Sequence, residues 1–250
     1  MSIIASDIKI YGSAIMPDDD SSTNIGGAVD LTKKIEFTDI APAGTVEALS
    51  SSTADTSQSL TIVGRDAAGV LQTETKTLTG TTAVAFTISL ERILKMSLST
   101  AASGTVSIRE TVGGEVLATM EPGVTQIRRP FYNAQVPAGG SVKYYEKIFF
   151  KNGHATLALT EAKIQKATDP LGKIAFGLES TLGGSGTNGS GNNRQVAPSA
   201  IAFSSTEKDV ANSKNHTPGT VQGIWLELTL TSTDPSLKSS FTMREVGITI

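Results

Sequence analysis

The chain has 250 residues and a formal net charge of −3 at pH 7, which gives it no basic footprint for nucleic acid. It contains no cysteine, which excludes disulfides, thiolate chemistry and cysteine-ligated metal, and its hydrophobic fraction of 38% is that of a folded chain with a modest core. The 32 threonines, 27 serines and 24 glycines favour half-exposed strands joined by turns, so the composition predicts an all-β protein.

Residues 1–40 are predicted to form an extended N-terminal arm. Short apolar stretches are broken there by Pro17, by the acidic run 18–20 and by the pair 26–27 of glycines. The acidic run lacks the alternating oxygen ligands and distal glutamate of a calcium loop, so a solvated turn is predicted. The arm lacks the features of a secretory signal, and no apolar run approaches the ~20 residues that span a bilayer. A soluble protein made in a cytoplasm is therefore expected.

Residues 41–122 are predicted to form a first β-sandwich-like domain. Apolar and polar residues alternate there with a period of two, and short strands recur every ~8–12 residues. The stretch "SQSLTIVGRDAAGVLQTETKTL" predicts two strands joined by a turn at 66–69, with Gly69 at positive φ. The stretch "ISLERILKMS" could hide a helical turn, but its alternation favours a strand.

Residues 123–139 are predicted to be a linker between two domains. The surrounding stretch, 121–140, has three prolines, three glycines and weak periodicity. Arg128 and Arg129 lie within it and could contact a phosphate or an acidic partner. Two adjacent arginines in a loop are nevertheless expected to be solvated.

Residues 140–250 are predicted to form a second β-sandwich-like domain, in tandem with the first. The pair 152–153, Asn-Gly, lies between two alternating runs and predicts a hairpin with a type I′ turn. Aromatic residues occur on both faces of 144–150, which predicts a strand covered by its own core and by another domain or subunit. Trp225 is expected to be a packing anchor.

The sequence predicts no catalytic, cofactor-binding or metal-binding residue. His154 follows the Asn-Gly pair, His216 lies in the polar stretch "NSKNHTPG", and both are expected to be exposed loop residues. Neither belongs to an HExxH motif or a nucleophile elbow, and the carboxylates are scattered. Because catalysis needs titratable groups brought together, a non-enzymatic protein is expected. A glycosidase pair of carboxylates from distant strands stays open at this level.

The stretch "STLGGSGTNGSGNNRQ" matches the G-x-G-x-x-G pattern of dinucleotide-binding loops at Gly184, Gly186 and Gly189. Such a loop delivers its glycines from a buried strand to a helix N-terminus that holds the pyrophosphate. Here no helical face follows, and Pro198 comes nine residues after Gly189. Residues 183–194 are therefore predicted to connect two strands, mobile or ordered by a neighbouring subunit, without nucleotide.

Over most of its length, the amino-acid sequence resembles those of virion structural proteins of tailed bacteriophages. In the first half the likeness is carried by "GGAVDLTKKIEFTDI", "GRDAAGVLQTETKTLTGTTAVAF" and "ERILKMSLS". In the second half it is carried by "RRPFYNAQ", "GGSVKYYEKIFFKNGHATLAL", "DPLGKIAFGLE" and "GIWLELTLTS". The resemblance contains no catalytic signature and transfers no functional residue.

The resemblance implies a non-enzymatic structural component of a virion, made in the host cytoplasm. In the first hypothesis the chain is a capsid decoration or cement protein that binds major capsid subunits through its arm and loops. The alternative is a neck- or tail-associated protein such as a connector, tube-associated or fibre-anchoring component. A carbohydrate-binding adhesin module is a more distant alternative. The expected partners are virion proteins and copies of the chain itself, without nucleic acid, membrane, cofactor or small-molecule substrate.

Overall fold

The protein is seen in a computed structural model that describes residues 2–36, 38–40, 42–184, 193–234 and 240–249. Strands dominate these residues, and helical structure is limited to two short turns. The predicted all-β class is therefore confirmed. No helix in the described ranges is long and apolar enough to cross a membrane.

The helical turns are a 3-10 helix (Ala5–Asp7) and α1 (Ala211–Lys214), a single turn in which Asn212 and Ser213 have left-handed backbone angles. Most strands are five to twelve residues long, as short alternating stretches of sequence predict. The strands are β1 (Ile8–Ile15), β2 (Gly26–Lys34), β3 (Val46–Ser50), β4 (Ser59–Arg65), β5 (Leu71–Thr77), β6 (Val84–Ala85), β7 (Arg92–Leu98), β8 (Val106–Glu110), β9 (Val116–Met120), β10 (Gln126–Arg128), β11 (Ser141–Asn152), β12 (Leu159–Thr168), β13 (Ile174–Leu182), β14 (Lys208–Asp209), β15 (Val221–Thr231) and β16 (Thr242–Thr249).

The chain divides into two compact units, and one is inserted into the sequence of the other. The split unit consists of Met1–Asp30 and Asn133–Ile250, and the inserted unit is Leu31–Tyr132. This division differs from the predicted tandem order of domains at 41–122 and 140–250. The difference arises because the first strand of the chain, β1, pairs with β11, more than a hundred residues further on, which local periodicity does not reveal.

The predicted arm, 1–40, is built into the sheets. Strand β1 pairs antiparallel with β11, from Ile8 opposite Asn152 to Gly12 opposite Ile148, and β2 follows β1 in the sheet. The predicted linker, 123–139, likewise contains β10, which pairs parallel with the end of β2 and antiparallel with β7. Neither segment is therefore a free connection.

The split unit contains one sheet with the order β13-β15-β11-β1-β2 and a second with the order β14-β12-β16. Strand β11 lies in the middle of the larger sheet, and every residue from 144 to 150 is buried. The predicted burial of both faces of this strand is confirmed. On one face lie the indole of Trp225 and Ile25, with Phe203 against Tyr145.

The predicted hairpin at residues 152–153 is wrong, because β11 and β12 belong to different sheets. A type I′ turn needs positive φ at both central residues, and neither Asn152 nor Gly153 has it. The Asn152 side chain is buried and donates hydrogen bonds to the carbonyl oxygens of Leu157 (3.0 Å) and His216 (2.8 Å). The Asn-Gly pair thus marks a crossing between sheets.

The inserted unit is a sandwich of two sheets around an apolar core. In one sheet β10, β7, β4 and β5 follow the end of β2 as neighbouring strands, in that order. The other sheet has the order β6-β3-β8-β9. Strand β7 confirms the strand predicted for "ISLERILKMS", and β4 pairs with β5 across the predicted turn, where Gly69 has φ +79°. Side chains of both sheets form the core, among them Val46, Ile62, Met96, Val106 and Ile108.

Gly26 allows the largest side chain of the split unit to lie against the start of β2. Its φ is +82°, and a Cβ placed there would lie 2.6 Å from Cη2 of Trp225. Trp225 is completely buried, which confirms its predicted role as a packing anchor. The glycine is therefore required both by its backbone conformation and by the indole.

Gly26→Ala is expected to lower the free energy of unfolding by about 3 kcal/mol. The new methyl group would overlap the indole of Trp225, and the alanine would have to adopt a left-handed backbone conformation. Gly172→Ala is the matched control, since Gly172 has φ +64° and nothing within 4 Å of an added Cβ. The control should lose about 1 kcal/mol. Urea unfolding measures both, and equal losses would contradict the role given to the Trp225 contact.

Candidate functional site

His216 is completely buried, so the prediction of an exposed loop histidine is wrong. Its Nδ1 lies 2.7 Å from Oε1 of Glu245, whose side chain is also buried, and its Nε2 lies 3.0 Å from the carbonyl oxygen of Thr220. Its backbone carbonyl accepts the hydrogen bond from Asn152. The imidazole therefore ties the loop before β15 to β16 and to the end of β11, with both ring nitrogens already engaged.

His154 is half-buried and lies in the crossing between β11 and β12. Its Nδ1 accepts hydrogen bonds from the backbone N–H groups of Thr156 (3.1 Å) and Leu157 (2.9 Å). The ring therefore shapes its own loop. Within the described ranges, no group of three or more histidine, aspartate or glutamate side chains could hold a metal ion.

Lys147 and Glu179 form an ion pair in the interior of the split unit. Lys147 Nζ lies 2.6 Å from Glu179 Oε1, donates to the carbonyl oxygen of Gly27 at 2.9 Å, and lies 5.7 Å from the ring centre of Trp225. Burial lowers the pKa of Lys147, against the opposing effect of the Glu179 carboxylate. Gly223 makes room for the acid, because a Cβ there would lie only 2.2 Å from Glu179 Oε2.

A further buried polar contact joins β11 to β15 on the same face. The Tyr145 hydroxyl donates to Oε2 of Glu227 at 3.0 Å, and Lys143 Nζ lies 3.0 Å from the other carboxylate oxygen. Burial, followed by the hydrogen bond to Glu227, raises the pKa of Tyr145 to about 12. The phenol is therefore a neutral donor in the neutral pH range.

Arg194 fixes the chain immediately after the glycine-rich stretch. Its side chain is 1% exposed, and its Nη1 donates to Oδ1 of Asn133 at 2.6 Å. Its guanidinium also lies 3.3 Å from a carboxylate oxygen of Asp20 and 3.8 Å from one of Glu146. Its backbone carbonyl accepts the N–H of Tyr145 at 2.7 Å, beyond the point where β1 stops pairing with β11.

The glycine pattern falls mostly outside the described residues, since Gly186 and Gly189 lie within 185–192. The prediction of a mobile or partner-ordered connection concerns that same stretch. Gly184 lies in the described part, and its carbonyl oxygen accepts the N–H of Val29 at 2.7 Å. A Cβ on Gly184 would lie 2.3 Å from the Val29 side chain, so close strand contact explains this glycine.

The prediction that Arg128 and Arg129 are solvated loop residues is wrong. Both arginines belong to the inserted unit and make contacts within it. Arg128 belongs to β10, is 1% exposed, and has its guanidinium 5.0 Å from the ring centre of Tyr132. Arg129 Nε donates to the carbonyl oxygen of Ile93 at 2.7 Å, and its Nη2 pairs with Asp39. The proline-rich surroundings hid strand β10, in which Arg128 is buried, while Arg129 follows the strand and is half-buried.

The three charged residues that organise the split unit, Lys147, Glu179 and Arg194, were not predicted from the sequence. For Lys147 a signal was available, because it lies within a run predicted to be covered on both faces. For Glu179 and Arg194 no local signal exists, since their partners lie far away in the sequence.

Backbone strain is concentrated at one exposed place on the split unit. Asn212, Ser213 and Lys214 are left-handed, with φ of +59°, +55° and +64°, and Glu161 in β12 has φ +49°. A left-handed conformation costs non-glycine residues about 1–2 kcal/mol each. Lys214 and Glu161 lie opposite each other, with Nζ and Oε2 3.6 Å apart.

No protein-family model matches the chain, and no curated protein matches it. Among solved structures, the infectious bursal virus derived T=1 particle at 2.6 Å shares 11% identity over 98% of this chain and 65% of that chain, with a TM-score of 0.14. The VP2 subviral particle of infectious bursal disease virus shares 9% identity over 98% of this chain and 67% of that chain, with a TM-score of 0.15. TM-scores this low carry no argument about fold or function.

His216→Ala is expected to lower the free energy of unfolding by about 3 kcal/mol, because it leaves the buried Glu245 side chain without its hydrogen-bond partner. His154→Ala is the control, and it should lose only about 1 kcal/mol from two half-exposed hydrogen bonds. Chemical denaturation measures both losses. A loss for His216→Ala no larger than that of the control would contradict the tie described for the imidazole.

Ser213→Gly is expected to raise the free energy of unfolding by about 1 kcal/mol, because glycine adopts the left-handed conformation without steric cost. Ala211→Gly, at a position outside the left-handed region, should instead lower it by about 0.5–1 kcal/mol. Thermal unfolding compares the two variants with the parent chain. A loss of stability in Ser213→Gly would show that this turn carries no strain.

Proposed function

We propose that the chain is a non-enzymatic structural component of a tailed-phage virion that decorates the capsid by binding major capsid subunits. The proposal starts from the resemblance of the amino-acid sequence, over most of its length, to virion structural proteins of tailed bacteriophages. The all-β frame is compatible with such a role. The neck or tail position remains the competing assignment, to be separated by experiment.

The observation that carries the proposal is the use of buried polar and charged side chains as internal ties. Lys147 with Glu179 joins β11 to β13, His216 with Glu245 joins a loop to β16, and Arg194 anchors a loop beside β11. Leaving one partner of a buried ion pair without the other costs about 3–5 kcal/mol, so such ties favour one arrangement of the strands they join. A single fixed arrangement of strands suits a protein that repeats the same contacts over a shell.

The same ties support a role without catalysis. An acid–base catalyst needs a titratable group that can reach a substrate. The buried histidine, lysine and arginine of the split unit are instead directed at protein groups in the interior. The proposed partners are accordingly virion proteins and further copies of the chain, in the virion, without nucleic acid, membrane or small-molecule substrate.

Two measurements test the proposal on a phage whose genome encodes the chain. Quantitative mass spectrometry of purified particles should find hundreds of copies, whereas six or twelve would assign the chain to a neck or tail ring. Particles assembled without the chain should bind the added protein and should gain resistance to heat or to loss of DNA. Absence of the chain from particles, together with no binding to the depleted particles, would overturn the proposal.

A further inference from the structure

The pair of Lys147 and Glu179 is sealed from solvent. The two side chains are 0% and 4% exposed, and Lys147 Nζ lies 2.6 Å from Glu179 Oε1. The ring centres of Phe149 and Trp225 lie 4.8 Å and 5.7 Å from the same nitrogen. A primary amine and a carboxyl group are thus held in contact where bulk water does not reach them.

The contact between the two groups is not an oriented hydrogen bond. Neither carboxylate oxygen of Glu179 accepts a hydrogen bond of normal geometry from any described residue, although Lys147 Nζ touches Oε1. The nitrogen donates instead to the carbonyl oxygen of Gly27 at 2.9 Å. The carboxyl group therefore lies against the nitrogen without the hydrogen bonds that usually stabilise a buried carboxylate.

Glycines allow backbone to lie directly against both side chains. A Cβ on Gly223 would overlap Oε2 of Glu179, and a Cβ on Gly26 would lie 3.4 Å from Cδ of Lys147. The close backbone leaves the amine and the carboxyl group little freedom to move apart. Well-aligned groups held in this way react as if each were present at an effective concentration of about 10⁵–10⁸ M.

The low polarity of this interior favours the uncharged forms of the pair. Charges are costly away from water, and passage of one proton from Lys147 Nζ to the Glu179 carboxylate removes both of them. Burial lowers the pKa of Lys147, which shifts the lysine toward its neutral form. Because a neutral amine is a nucleophile and a protonated carboxyl group is an electrophile, the pair contains both partners of amide formation.

We propose that Lys147 and Glu179 join in an intramolecular isopeptide bond after the chain has folded. The lone pair of Lys147 Nζ attacks Cδ of Glu179, so the Nζ–Cδ bond forms and one Cδ–Oε bond breaks. The departing oxygen takes two of the three protons that Nζ carries in the ion pair and leaves as water. No oxidant, reductant or further reactant is consumed, and the remaining N–H keeps the carbonyl oxygen of Gly27 as its acceptor.

The bond joins two strands that are not neighbours in the sheet. Strands β11 and β13 both pair with β15, so the cross-link passes over the strand between them. A covalent link between distant residues lowers the conformational entropy of the unfolded chain and so opposes unfolding. The inference concerns the interior of the split unit and does not depend on the proposed function.

Intact-mass spectrometry of the purified full chain tests the proposal, with the measurement repeated until the mass no longer changes. The final mass is expected to be lower than the mass calculated from the sequence by one water molecule. Digestion with trypsin should then give one branched peptide in which residues 144–151 are joined to residues 174–194, because trypsin does not cut after an acylated lysine.

Two lysine variants identify the reacting amine. Lys147→Met removes it and should keep the full calculated mass. Lys143→Met is the matched control, because Lys143 Nζ lies 3.0 Å from Oε1 of Glu227 but its side chain is 51% exposed, so water keeps that pair ionised. The control should lose one water molecule as the parent does. The branched peptide of the parent locates the bond even where Lys147→Met does not fold.

Three results would overturn the isopeptide bond. The first is a folded parent chain whose mass stays at the full calculated value. The second is loss of one water molecule from a parent chain that trypsin still cuts after Lys147, and the third is the same loss in folded Lys147→Met, since the dehydration then lies elsewhere. None of these results bears on the proposed function, which copy number and particle binding test separately.

Discussion

The central constraint on the split unit is that β11 is buried on both faces from residue 144 to 150. A strand covered on both sides is ordinarily apolar, yet this one carries Glu146 and Lys147 on opposite faces. A buried charge requires a partner, and the partners come from distant parts of the chain. Glu179 from β13 pairs with Lys147, and Arg194 approaches Glu146 from the segment after the glycine-rich stretch.

Glycines provide the space that these pairs require. Gly223 lies where a side chain would collide with Glu179, and Gly26 lies where one would collide with Trp225. A buried ion pair adds little net stability over an apolar pair of the same volume, but the loss of one partner is costly. The pair of Lys147 and Glu179 thus allows one register of β11, β15 and β13 and penalises the alternatives.

The interiors of the two units are stabilised by different kinds of contact. The inserted unit has a continuous apolar core formed by side chains from both of its sheets. The split unit places a histidine, a lysine and an arginine in its interior and holds them by directed contacts. An apolar core tolerates substitution of similar volume, whereas directed polar contacts do not.

The sequence by itself determined the all-β class, the turn at 66–69, strand β7 and the burial of Trp225, because each depends on local alternation or turn chemistry. It did not determine which strands pair, so the predictions of a free arm, a linker and an Asn-Gly hairpin differ from the structure. Burial of His216 was equally hidden, since its partner Glu245 is far away in the sequence. Pairing and charge burial are long-range properties, and only the tertiary structure decided them.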